Sequence, residues 1–152
     1  MKIKIEIDEK LNEEEVVIKC KEMDDEVVAL QQSIASAVLR KEKFTVYRKD
    51  REYYIKVEEI LFFETEDNRV TVHTKKDMYE TDLKLYELEE MLPGHFMRVS
   101  KSAIVNVNHI YSVSKNLTAS SLLEFYDTSK QIYVSRHYYR PLKNKLQEMR
   151  EK

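Results

Sequence analysis

Three short polar segments carry side chains whose types and spacing suit nucleic-acid chemistry. They are Glu66-Asp67-Asn68-Arg69, Arg98-Val99-Ser100-Lys101-Ser102 and Ser135-Arg136-His137. Asn and Arg can grip a base edge with paired hydrogen bonds, while Lys and Ser suit phosphate oxygens. Each segment also admits a structural reading. Asn68 is a residue type that tolerates positive φ in a hairpin. Lys101 can be a solvated surface lysine, and Arg136 can pair with a strand carboxylate such as Glu124. Asn106 reads as a side chain bonding the backbone of a turn, and Tyr138-Tyr139 as helix packing rather than a stacking platform.

Other chemistries find less to work with. His73, His95, His109 and His137 are scattered without ligand spacing, and Cys20 has no second cysteine, so no metal is expected. Glu89 and Glu90 are adjacent and diverge by about 100° on a helix, so they share no face. One glycine, Gly94, excludes a Gly-rich phosphate loop and a dinucleotide fingerprint, and leaves the serines outside any G-x-S-x-G setting. Neither an enzyme, a cofactor nor a small-molecule substrate is expected. Cys20 lies in the apolar alternation Val16-Val17-Ile18-Lys19-Cys20 and is expected to be a small buried hydrophobe in a reducing compartment. The first residues have no signal-peptide character and no apolar run approaches ~18 residues, so a cytoplasmic location is expected.

The elements that must hold these segments are mostly strands. The chain has 152 residues, 42% hydrophobic and 36% charged, which fits one folded domain with a modest extension. Ile3, Ile5 and Ile7 alternate with Lys and Glu as in a half-buried strand, and Val16 to Cys20 makes a second. Asp24 or Asp25 then caps a helix with Val27, Leu30, Ile34 and Val38 in one apolar stripe. The run Arg40 to Lys43 is a linker or a continuation of that helix. Strand signals follow at Phe44–Tyr47, Tyr53–Val57, Ile60–Thr65, Arg69–Thr74 and Met78–Thr81, with Glu66-Asp67-Asn68 as a tight turn. A helix is expected from about Leu83 to Leu92, capped by Thr81 or Asp82 and ended by Pro93-Gly94. Strands are expected again at Ile110–Val113, Leu122–Tyr126 and Ile132–Val134. A last helix is expected around Pro141 to Arg150, with Pro141 in its first turn.

The net charge of −2 hides a division. Residues 1–40 carry six basic and ten acidic side chains, and residues 41–97 carry ten and fourteen. Residues 98–152 carry ten basic and four acidic side chains, a local +6 that holds two of the three polar segments. Nucleic-acid contact needs only such a local basic surface. Two rivals remain open on the residues alone: a protein-interaction module, and a single-strand or RNA binder using exposed tyrosines.

The run Ile60-Leu61-Phe62-Phe63-Glu64, the block Phe96 to Asn106 and Val134-Ser135-Arg136 occur in order and at matching intervals. Over roughly residues 44–147 the chain resembles the LytTR DNA-binding domain of bacterial transcription regulators. The resemblance implies a mainly β fold of three small antiparallel sheets stacked into an elongated body with short helices. It divides the chain into an N-terminal strand-strand-helix extension over residues 1–40 and the DNA-binding domain over 41–152. It further implies two loops in successive major grooves of double-stranded DNA, presenting Asn68 with Arg69 and, at the other end, Arg136. Ser100 and Lys101 would touch the groove between, with Arg98 and Ser102 supporting that loop or holding phosphates. His137 and Lys115 are weaker backbone candidates. The family usually has His-Arg-Ser or His-Asn-Ser where this chain has Ser100-Lys101-Ser102, and lysine lacks the planar fork of arginine. Many relatives carry a receiver domain ahead of this module, for which residues 1–40 are too short. The arrangement is similar to stand-alone LytTR regulators, implying a homodimer on repeated sites and a small membrane protein as restraining partner. The N-terminal segment is expected to mediate dimerisation or that contact, or else to pack on the β-body.

Overall fold

A computed structural model of the chain describes residues 1–39, 43–115 and 120–150. Apolar side chains at alternate positions leave water only against a sheet partner, and from residue 43 onward they find one. The strands are β1 (Lys43–Arg48), β2 (Arg51–Lys56), β3 (Phe62–Glu66), β4 (Arg69–His73) and β5 (Met78–Thr81). After them come β6 (Phe96–Ser100), β7 (Ala103–Asn106), β8 (Ile110–Val113), β9 (Ser121–Phe125) and β10 (Gln131–Val134). Helices α1 (Asp25–Leu39), α2 (Leu85–Met91) and α3 (Arg136–Arg150) complete the described elements.

The fold is mainly antiparallel β, as expected, but the described residues form two sheets where three were expected. One is seven-stranded in the order β2-β1-β5-β4-β3-β7-β6, and the other is three-stranded, β10-β9-β8. The Tyr47–Glu80 pair joins the β1–β2 hairpin to β5 and so fuses two of the small sheets.

Adjacent phenylalanines on β3 serve two cores, because successive side chains point to opposite faces. Phe63 enters the first core, with ring centroids 5.7 Å from Phe44 and 6.1 Å from Phe96. Leu85 and Leu88 of α2 are buried in the same cluster. Phe62 enters the second, stacked between Phe125 at 5.4 Å and His73 at 4.3 Å. Leu123, Ile132, Val134 and Leu142 of α3 fill that core. Asn106 stands beside β3 at 1% exposure. Its Nδ2 donates to the Ile60 carbonyl (3.0 Å) and its Oδ1 accepts from the Asn108 amide (3.1 Å). The structural reading of Asn106 therefore holds.

Several expectations need correction. Residues 1–24 contain no strand, and Ile3, Ile5 and Ile7 are 95%, 85% and 91% exposed. Their alternation is real but has no partner strand among the described residues. Cys20 is exposed for the same reason. Helix α1 does form, and Asp24 caps it by accepting from the Val27 amide at 2.9 Å. Of its stripe, Val27 is buried whereas Val38 is half exposed. Gln32 of α1 lies against Gly94, where an added Cβ would meet it at 3.1 Å, so α1 packs on the body. Gly94 itself has no positive φ. Helix α2 starts at Leu85, two residues later than expected, with the Glu87 carboxylate accepting from the Lys84 amide at 3.0 Å. Thr81 instead receives the Leu83 amide at 3.3 Å, just before the helix. Helix α3 begins at Arg136, so Pro141 lies inside it rather than in its first turn. Apolar spacing at Tyr138, Tyr139, Leu142, Leu146 and Met149 against the second core outweighs the proline. Of the run Arg40 to Lys43, Lys43 opens β1 and the others lie outside the described residues.

Two outcomes follow from this packing. Asn106→Ala leaves the Ile60 carbonyl and Asn108 amide without partners and lowers unfolding stability by about 2 kcal/mol in urea titrations. Burial, and then the nearby Lys130, push the His73 imidazole down from 6.5 to about 4. The folded state therefore disfavours the protonated ring. The stabilising contribution is full above pH 6.5 and is lost as pH falls towards about 4. A His73→Gln variant should show a shallower loss of stability across that window; equal slopes would contradict the assignment.

Candidate nucleic-acid interface

The three polar segments lie along one edge, and backbone pairing places them there. β3 pairs antiparallel with β7, matching Phe62 to Val105 and Glu64 to Ala103. The β3–β4 and β6–β7 turns therefore open at the same end of the sheet. The Thr65 amide donates to the Ser102 carbonyl at 2.8 Å, tying the first turn to the second. A register shift between Arg98 and Ser100 marks a bulge at Val99. The Val99 carbonyl accepts from the Ser135 amide at 2.9 Å, placing the start of α3 beside the second turn. The order across the edge is Asn68–Arg69, then Ser100–Lys101, then Arg136.

At the first tip, Asp67 and Asn68 both have positive φ, 48° and 65°, with Glu66 paired to Arg69 across the turn. Such two-residue turns match strand twist and favour Asn. Asn68 thus does serve the turn, and its side chain is exposed and unbonded to any described residue. Arg69 reaches Glu80 at 3.4 Å in an exposed pair, which holds it weakly. Glu64 and Glu66 make this end of the face acidic. Burial, and then Glu66, push the Glu64 carboxyl up, which eases that crowding.

Arg98 organises the middle tip. Its Nε donates to the Ser100 carbonyl at 2.9 Å and its Nη2 to the Lys101 carbonyl at 2.7 Å. Its Nη1 pairs with Glu89 of α2 at 2.8 Å. Ser100 Oγ accepts from the Ser102 amide at 3.1 Å and lies 3.2 Å from Ser102 Oγ. Arg98 and Ser102 are thus committed to the turn. The Lys101 side chain is exposed and bonds no described residue.

Arg136 opens α3 instead of sitting in a loop, and His137 follows it with its ring 5.1 Å from Tyr138. Neither is paired with a described carboxylate; Glu124 takes a hydrogen bond from Ser112 at 2.7 Å. The first turn of α3 holds no acidic residue. A cation there opposes the helix dipole, so Arg136 costs the helix stability and needs another reason to be present. Arg140 and Lys143 stand one and two turns further on, both exposed. A helix starting at Pro141 leaves Arg140 outside it; the apolar spacing from Tyr138 is the signal that brings Arg140 onto the same helix as Arg136 and Lys143. Tyr138 and Tyr139 pack on the second core, consistent with their helix-packing reading. Lys115 is exposed, and its following residues lie outside the described ones. Among the described residues no cluster of His, Cys, Asp or Glu could hold a metal, and no helix is long and apolar enough to cross a membrane.

The family model for the LytTr DNA-binding domain matches residues 50–147. An uncharacterized HTH-type transcriptional regulator of Staphylococcus aureus strain MSSA476 is 35% identical, over 96% of this chain and 98% of its own length. A counterpart from strain NCTC 8325 / PS 47 is 34% identical with the same coverage. A solved LytTr DNA-binding domain from Bacillus cereus superposes with a TM-score of 0.61 at 26% identity, covering 67% of this chain and 96% of its own. The relatives' names mention a helix-turn-helix. Here, among the described residues, strands separate each helix from the next, and the β-rich body carries the tips. On that match and that fold together, the chain belongs to the LytTR family of DNA-binding domain proteins.

Proposed function

We propose that this chain is a cytoplasmic transcription regulator that binds duplex DNA sequence-specifically along its tip edge. Asn68 with Arg69 and Arg136 enter successive major grooves, and Ser100 with Lys101 touches the groove between them. The observation that carries this reading is the hydrogen-bonded order of three exposed tips along one edge. Affinity comes chiefly from the α3 side, where Arg140 and Lys143 neutralise phosphates beside the base contact of Arg136. Specificity at the opposite tip comes from hydrogen bonding, because the carboxylates beside Arg69 repel a phosphate. Arg98 and Ser102 shape the middle turn, while the exposed His137 and Lys115 contact backbone phosphates. The protein acts as a homodimer on repeated sites, and a small membrane protein is the kind of partner that would restrain it.

Footprinting on a duplex selected from random sequence, across a salt series, tests the reading. Arg136→Ala should weaken specific binding by about 1–3 kcal/mol and relax one position of the site. The same change should leave thermal stability equal or slightly higher, because it removes a cation from the helix start. If Lys101 contacts only phosphate, Lys101→Ala should weaken binding to all sequences alike and flatten the salt dependence by about one unit of slope. No duplex binding at low salt would instead favour a protein-interaction module. Preference for single strands would favour stacking on exposed tyrosines.

A further inference from the structure

The first eight residues contain an unused interaction surface. Ile3, Ile5 and Ile7 are almost wholly exposed in a segment with no strand partner among the described residues. Lys4 Nζ lies 2.7 Å from Glu6 Oε1, so these two alternate residues share one side and leave the isoleucines on the other. Three aligned isoleucines in water are costly, which marks a surface that is covered by something.

We infer that the cover is the same segment of a second copy, paired antiparallel about a two-fold axis through Ile5. In that register Ile5 faces its own mate and Ile3 faces Ile7. Lys4 faces Glu6, and Lys2 faces Asp8. Ile3, Ile5 and Ile7 each meet an isoleucine, and Lys2, Lys4, Glu6 and Asp8 each meet an opposite charge, twice over by symmetry. The intramolecular alternative is poorer. A hairpin aligning Ile3, Ile5 and Ile7 with Cys20, Ile18 and Val16 sets Lys4 opposite Lys19 and Lys2 opposite Lys21. The turn opening at Asp8, where the Leu11 amide donates to the Asp8 carbonyl at 3.3 Å, ends the pairing at the last complementary residue. Two strands alone are marginal, so this dimer is concentration-dependent and is reinforced when both copies sit on one duplex. Only that reinforcement rests on the DNA-binding reading; the pairing itself does not.

Light-scattering mass of the full chain over a concentration series, without DNA, tests it. Lys4→Glu and Glu6→Lys each set like charges opposite one another twice, and each should raise the dimerisation midpoint about tenfold. The double swap, Lys4→Glu with Glu6→Lys, restores the complement and should return to within about threefold of the starting protein. Ile5→Lys should leave a monomer. The melting temperature should be unchanged in all four, because none of these residues is in either core. Arg136→Ala should dimerise normally, which separates this inference from the DNA-contact assignment. A monomer at every concentration, indifference to the single swaps, or failure of the double swap to rescue would each overturn the pairing.

Discussion

The register between β3 and β7 is the constraint on which the rest depends. Side chains alternate faces with a period of two, so a slip of one residue would turn Phe62 and Phe63 into each other's places. Phe62 would leave its stack with His73 and Phe125, and Phe63 would leave Phe44 and Phe96. Both cores would lose their central ring together. The same register brings Thr65 to the Ser102 carbonyl and so aligns the first two tips. Stability and the spacing of the proposed contacts therefore hang on one set of hydrogen bonds.

Charge is distributed to match that geometry. The excess of basic residues after position 98 is concentrated on exposed positions of α3 and on the middle turn. The first tip has an acidic surround, with Arg69 already leaning on Glu80. A duplex laid along this edge would be held electrostatically at one end and read by hydrogen bonds at the other. The near-neutral total charge reflects two acidic segments offsetting a basic one.

Eight of the ten described strands were legible in the sequence because period-two alternation and the Asp67-Asn68 turn are local signals, whereas β6 and β7 show only as a polar turn in an apolar frame. The polar segments were legible as well, since Asn68, Lys101 and Arg136 interrupt apolar frames. What was not legible depended on partners distant in the chain. Nothing local to Ile3–Ile7 or Val16–Cys20 reveals that the described residues supply no neighbouring strand. Nor does Tyr47 announce that it will meet Glu80 and merge two sheets. The commitment of Arg98 to the Ser100 and Lys101 carbonyls was equally hidden, because an arginine beside a polar turn looks the same whether it points out or folds back. At α3 a strong local cue, Pro141, masked the weaker apolar period that starts before it.

Position-specific cleavage of a bound duplex tests the central claim most directly. A cleaving group tethered in turn to Glu66→Cys, Ser102→Cys and His137→Cys, each in a Cys20→Ser background, reports where each tip rests. A duplex laid along the tip edge should be cut in three clusters displaced in that order along one face, with the cluster from position 102 between the other two. A common cut site for all three, or an outer position for the middle tip, would contradict it.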